Sequence, residues 1–292
     1  MILKYVVKID DKYSNINQIL KNEFNFSSRL MFKVIKNKRV FLNNKFVDTR
    51  TQISTNDCIT VYLDFEEDNS NIIPTKMNLQ IIYEDEAFLI INKPAGIATH
   101  PSQLHYNNSL SNGIKFYFDS IGCNKKVRPV NRLDKNTSGL VIFAKNEYIQ
   151  ECLIKQMQNK IFIKEYIAIV EGIVELRSGT INAPIARKEN SIIERCVCSN
   201  GDIAITHYNV LKSLKNTSVV HVTLETGRTH QIRVHLSNIG HPILGDTLYG
   251  NPSSVINRQA LHAYKVKFIH PITGLNVEYI ATIPSDIKSI IK

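Results

Sequence analysis

The 292-residue chain has no tryptophan, only five cysteines, no glycine-rich phosphate loop and no long apolar run. Each shortage excludes something. None of the twelve glycines falls into GxGxxG or GxxxxGK[ST], so neither a dinucleotide fingerprint nor a P-loop is present, and no nucleotide or redox cofactor is implied. No stretch approaches the ~20 apolar residues of a membrane span. The opening MILKYVVKIDDK is too short and too interrupted for a signal peptide. Cys58, Cys123, Cys152, Cys196 and Cys198 are an odd set without framework spacing, which fits a reducing cytoplasm better than export. Cys196 and Cys198 alternate as strand neighbours do, and no second pair completes a zinc site. His230, His235 and His241 lack HExxH spacing and a carboxylate in register, so no metal is expected.

What the chain does have is positive charge, +10 in all. Residues 1–60 carry 11 Lys+Arg against 5 Asp+Glu, more than half of the excess in a fifth of the length. A surface this basic usually meets nucleic acid. The acidic run DFEEDNSN at 64–71 then breaks the pattern. The boundaries expected are a small domain over 1–63, an acidic linker over 64–76 and a larger domain over 77–292.

In the first part, Ile16, Ile19, Leu20 and Phe24 repeat at helical spacing. Ser27 or Ser28 can cap a second helix whose apolar side is Leu30, Met31, Val34 and Ile35. Asn43-Asn44 reads as a tight hairpin, and CITVYL at 58–63 as a closing strand. Arg29, Lys33, Lys36, Lys38 and Arg39 gather at the helix end and the hairpin entry, where they can neutralise phosphates without reading sequence. From residue 78 onward strands dominate, many of them joined as hairpins, with an amphipathic helix after Asn146. The fold class expected is α+β, with a mixed, mainly antiparallel sheet.

Four polar segments interrupt these strands: INKPAGIATHPS (91–102), RPVNRLDKNTSGLVIFAKN (128–146), KEYIAIVEG (164–172) and LETGRTHQIRVHLSNIGHPILGDTLYG (224–250), with RQALHAYKVKFIHPITG (258–274) after the last. Each alone has a modest structural reading. Lys93-Pro94-Ala95-Gly96 is a turn, and Thr229 can cap a helix that Gly240 ends. Asp134 stands where a polar loop enters a strand, with Arg128 and Arg132 close behind. It is a turn residue, a cap, or a nucleophile on a rigid edge.

Together, and in this order, the segments resemble the RluA-type family of pseudouridine synthases over roughly residues 76–290. The family's His-Arg-Leu-Asp run appears here as Asn131-Arg132-Leu133-Asp134, followed by Thr137-Ser138-Gly139-Leu140. Residues 13–65 resemble the small S-four-type RNA-binding domain. The resemblance implies an isomerase that cuts a uracil from its ribose at N1, turns it and rejoins it through C5, with no cofactor. It implies Asp134 as the nucleophile, Arg228 as the arginine paired with it, Tyr166 as the active-site tyrosine and Arg132 as the residue that fills the vacated stack. Lys93, His230, Gln231 and Arg233 are implied as RNA contacts or supports. A guanidinium beside Asp134 would favour the ionised form that a nucleophile needs. Base flipping is required because C1′ and C5 cannot both be reached in a stacked strand.

The expected substrate is RNA, with 23S ribosomal RNA first and transfer RNA second, and the expected state is a cytoplasmic monomer. Two rival readings fit the residues less well. A non-catalytic RNA-binding or ribosome-assembly protein on the same fold would be expected to lose one of Asp134, Tyr166 and Arg228, and all are present. A glycoside hydrolase would need a second carboxylate, and Glu165 alternates with Tyr166 and should face the other way.

Overall fold

A computed structural model of the chain describes every residue except Leu104. The N-terminal part runs β1 (Ile2–Val6), α1 (Ile16–Asn22), α2 (Ser28–Lys36), β2 (Val40–Leu42), β3 (Lys45–Phe46) and β4 (Cys58–Tyr62). Its four strands form one sheet in the order β1-β4-β2-β3. The helices start where the short polar side chains allow. Asn15 accepts from the Gln18 N–H and Ser27 from the Leu30 N–H, each satisfying an otherwise orphaned donor. Ile16, Ile19, Leu20, Leu30 and Val34 are buried. Asn43 and Asn44 both have positive φ (48° and 67°), which joins β2 and β3 by a two-residue hairpin.

The larger part contains β5 (Ile81–Glu84), β6 (Phe88–Lys93), α3 (Leu110–Ser120), β7 (Arg128–Pro129), β8 (Ser138–Ala144), α4 (Glu147–Gln158), β9 (Ile163–Glu171) and β10 (Ser178–Asn182). It continues with β11 (Ile185–Arg187), β12 (Arg195–Val197), β13 (Ile205–Ser213), β14 (Thr217–Leu224), α5 (Gln231–Asn238), β15 (Leu261–Ile269), β16 (Asn276–Ile280) and α6 (Ser285–Ile291). Ten strands make one sheet: β10-β13-β14-β9-β15-β8-β6-β5, with β16 beside β15 and β7 beside β8. The strands pair antiparallel except at the junction of β8 with β15, where Ser138 and Gly139 lie opposite His262 and Ala263. The class is α+β with a mainly antiparallel sheet, as expected. β11 and β12 form a separate two-stranded ribbon.

β6 and β8 are buried on both faces, which explains their uninterrupted apolar runs. Leu89, Ile91, Val141 and Phe143 face one core, shared with Tyr166 and the apolar side of α5. Phe88, Ile90, Leu140 and Ile142 face the other, which also holds Ile16, Leu20, Phe26 and Val34 of the N-terminal part. The basic N-terminal part is therefore packed on the sheet face opposite Tyr166. Phe26 meets Tyr148 of α4 edge-on at 5.3 Å, and Ser27 donates to Glu151.

The segment 64–76, expected as an acidic linker, has no helix or strand but is packed against the rest of the chain. Phe65 is buried. Asn69 is hydrogen-bonded to the Lys125 carbonyl. Glu67 receives both Arg128 Nη atoms and, at 3.1 Å, the Lys33 ammonium. An acidic run reads as linker until the cations at 125–128 are brought against it. Burial by itself would raise the Glu67 carboxyl, but the Arg128 guanidinium, the Lys126 N–H and Lys33 together hold it at about 2. Its folded pKa lies below the ordinary 4.5. The stabilisation is therefore complete above that value and is lost as pH falls from there toward 2. Glu67→Gln should cost on the order of 2 kcal/mol at neutral pH. In denaturant melts the gap from wild type should close as pH falls through this window. A gap that persists at the acid end would assign the loss to something other than the ion pair.

Candidate active site

The loop 131–137 is held at almost every residue by a different element. Asn131 extends the β7–β8 ladder: its amide donates to Leu140 O at 3.0 Å and accepts from Ile142 N–H at 2.9 Å. This accounts for Asn where the family pattern has His, because an amide offers donor and acceptor side by side, whereas an imidazole's two nitrogens diverge. Thr99 both donates to Leu133 O and accepts from Leu133 N–H. The Arg258 guanidinium donates to Asn136 O, and the Gln259 amide to the Thr137 hydroxyl. Ser138 is hydrogen-bonded to the buried His262 at 2.9 Å. Gly139 has φ +118°, and a Cβ there would sit 2.2 Å from Ala263 O, so only glycine lets β8 approach β15 this closely.

Lys93 is a correction as an RNA contact. Expected as an RNA contact or a support, it is completely buried. Its ammonium donates to the carbonyls of Pro94, Ile97 and Lys135 at 2.8–3.0 Å. Burial pushes it down to about 7; the Asp134 carboxylate works against that shift and Arg258 adds to it. Three carbonyl acceptors match the three N–H bonds of the charged form. Lys93 pins the loop one residue beyond Asp134 and has no surface to offer RNA.

With the backbone fixed, Arg132, Lys135 and Asn136 of the loop are exposed and Asp134 is half-buried. Asp134 is 22% exposed and lines a cleft. Tyr166, Leu224, Ile232 and Leu261 form its apolar wall, and Arg132, Arg228, His230 and Arg233 its polar side. Tyr166 on β9 is almost fully buried, and burial together with the Asp134 charge pushes its phenol up. Glu165, its neighbour, points to the opposite face and pairs with His221, Lys265 and Lys267, as strand alternation predicts.

The arginine paired with Asp134 is Arg233, not Arg228. Arg233 Nη1 lies 3.1 Å from Asp134 Oδ2. Its remaining edge grips the buried Asp246 in a fork, at 2.6 and 2.7 Å, and its guanidinium lies over the Tyr249 ring. Arg228 instead donates to Ile203 O at 3.0 Å and lies 3.6 Å from Asp202. The reason is the start of α5. His230, rather than Thr229, occupies the cap position, with φ 59°, so Arg228 lies in the turn outside the helix. Arg233 is inside it, on a face that packs inward. Gln231 is also buried rather than presented to RNA. It accepts from Arg228 N–H and Thr226, and donates to Ile205 O and Thr206, tying the turn to β13.

His230 is held through Nδ1 by the Tyr249 hydroxyl at 2.8 Å, with Nε2 3.8 Å from Asp134. Burial lowers its pKa, Asp134 opposes that, and Arg233 and Arg195 reinforce it. The other histidines of the run are spent elsewhere: His235 on Thr206 and Ala183 O, His241 on Glu171 O. Asp246 and Tyr249 went unassigned in the sequence, although both stand in the run that contains Arg233.

The N-terminal basic cluster is partly committed. Lys33 is shared between Glu67 and Glu147 and covers the Phe65 ring at 4.5 Å, and Arg29 reaches Glu147 at 3.1 Å. Lys33 is thus a docking residue between the two parts of the chain. Lys36 lies near the exposed Phe32 ring, and Arg39 near Phe65.

A half-buried carboxylate facing an arginine, in a cleft that a tyrosine also lines, suits nucleophilic attack or charge stabilisation on a flat base and its sugar. Comparison with known proteins places the chain in a family. Residues 87–238, which hold Asp134, Tyr166 and Arg233, match the RNA pseudouridylate synthase family. An uncharacterized RNA pseudouridine synthase of Bacillus subtilis, YhcT, is 40% identical over 93% of this chain and 90% of its own length. Ribosomal large subunit pseudouridine synthase D of Zymomonas mobilis is 38% identical over 84% of this chain and 81% of its own. Human RNA pseudouridylate synthase domain containing 1 has a similar fold, with a TM-score of 0.58 and 24% identity over 73% of this chain and 93% of that one. The chain belongs to the RNA pseudouridylate synthase family, and it is an isomerase that acts on RNA.

Proposed function

We propose that the protein converts uridine to pseudouridine in large-subunit ribosomal RNA, in the cytoplasm, with Asp134 as the essential carboxylate. The observation that carries the role is the Asp134–Arg233 pair at the mouth of the cleft walled by Tyr166. The uridine leaves the stack, and Arg132, exposed on the same loop, takes its place. Asp134, 3.1 Å from Arg233 Nη1, acts on the sugar or assists cleavage of the N1–C1′ bond. The freed uracil turns over the Tyr166 ring, C5 bonds to C1′, the C5 proton leaves and N1 gains one. No atom is lost overall and nothing is oxidised. The proteins named as large-subunit synthase D in Zymomonas mobilis and Neisseria meningitidis, 38% and 36% identical, support ribosomal RNA as the substrate.

The N-terminal part is read as an RNA-binding domain of the S-four type, with Lys36, Lys38 and Arg39 as its phosphate contacts, joined by the outward edge of Arg29. Its capped helix pair and Asn43-Asn44 hairpin support that reading. Transcriptome-wide pseudouridine mapping with and without the gene tests the substrate. Loss of one or a few pseudouridines in large-subunit ribosomal RNA is expected. Losses confined to transfer RNA would overturn the ribosomal assignment.

A further inference from the structure

Beside the cleft lies a second groove, of about 860 Å³, between the β11–β12 ribbon and the turn before α5. Arg187 and Arg195 stand directly opposite each other across the ribbon, and both line the groove with Arg228 from the turn. Like charges in directly opposed positions destabilise a strand pair. Among the described residues neither ribbon arginine has an ion pair, although Arg195 donates to the Glu194 carbonyl at 3.2 Å. The one acidic residue lining the groove, Asp202, is largely exposed and already sits beside Arg228. Three arginines thus line a space with little internal countercharge. Such an arrangement is stabilised when an anion lies between them, and guanidinium forks match phosphate oxygens.

The groove is also coupled to the active site by contact. Arg228 lines both spaces. The Arg195 N–H donates to the Tyr249 hydroxyl at 2.8 Å, and that hydroxyl holds His230, whose Nε2 faces Asp134. An anion fixed by Arg187, Arg195 and Arg228 would therefore lie one side-chain layer from the nucleophile.

We propose that this groove binds a backbone phosphate of the RNA strand next to the flipped uridine and so sets the strand's register over Asp134. The proposal rests on the RNA-isomerase reading above. Its role is distinct from that of Arg132, which replaces the base, and of the N-terminal cluster, which lies on the opposite sheet face.

The test is filter binding of an unmodified large-subunit ribosomal RNA transcript across a salt series, alongside release of tritium from C5-labelled uridine in that transcript. Arg187→Gln/Arg195→Gln should weaken binding about tenfold or more. It should also make the salt slope shallower by about 0.7 for each phosphate released. Arg187→Lys/Arg195→Lys should keep the slope while losing part of the affinity, because charge remains and the fork does not. Arg187→Gln alone, at an exposed position, should show the slope change with an unchanged thermal melt. An unchanged slope in the double Gln variant would overturn the groove and leave the role of Asp134 standing. A shallower slope in a protein whose wild type releases no tritium from this transcript would keep the groove and overturn the ribosomal substrate.

Discussion

Asp134→Asn should abolish pseudouridine formation, by on the order of 10⁴-fold or more, while RNA binding survives. The substitution is nearly isosteric. The Asn carbonyl oxygen can still accept from Arg233 Nη1, now 3.1 Å from the carboxylate, so the cleft keeps its shape. The loop does not depend on the carboxylate for its hold, since Asn131, Leu133, Lys135, Asn136 and Thr137 are each anchored independently. What disappears is the negative charge proposed to attack C1′ or to stabilise charge developing there. Carbodiimide adduct mapping of the bound RNA reads the product directly, and filter binding reads affinity. Modification at the wild-type rate would remove Asp134 from the chemistry.

Arg233→Gln should lose both activity and stability, and the stability loss is the larger structural effect. Asp246 is fully buried and the Arg233 fork supplies its countercharge. The N–H groups of Leu248 and Tyr249 still donate to Asp246, but they do not replace a cation. An uncompensated buried carboxylate costs about 3–5 kcal/mol. Arg233→Met/Asp246→Leu, which removes both charges, should recover most of that stability in denaturant melts. It should not recover pseudouridine formation, because Asp134 still lacks its guanidinium. If the double variant were as unstable as Arg233→Gln, unpaired charge would not be the cause. If it were active, Arg233 would only be holding Asp246.

Why the wrong arginine stood out in the sequence is instructive. Arg228 and Arg233 are five residues apart in one run, and both carry the same fork. The choice between them depends on where α5 begins. That is set by His230 in a left-handed conformation and by Gln231 tying the turn to β13. Neither is a local propensity, since Thr229 is the better intrinsic cap. Lys93 misled for a related reason. Lysines are mostly exposed, and its three carbonyl partners come from Pro94, Ile97 and the distant Lys135. Phosphate contact was expected from all five N-terminal cations, yet Lys33 is held by Glu67 and Glu147, far along the chain. Asp246 gave no separate signal because its meaning lies in a contact with Arg233.

The strand pattern, the α+β class and the place of Asp134 at a loop–strand junction are legible in the residue order alone. The same order places Tyr166 opposite Glu165 on its strand. These follow from alternation, turn residues and caps, all of which act over a few residues. Which arginine meets Asp134, which lysine disappears under the loop, and which acidic segment is bound down depend on the packed chain. Burial and charge pairing act between residues far apart in the chain, and the pairing energy falls steeply with distance. Their partners are therefore fixed only when the sheet, α5 and the N-terminal part have come together.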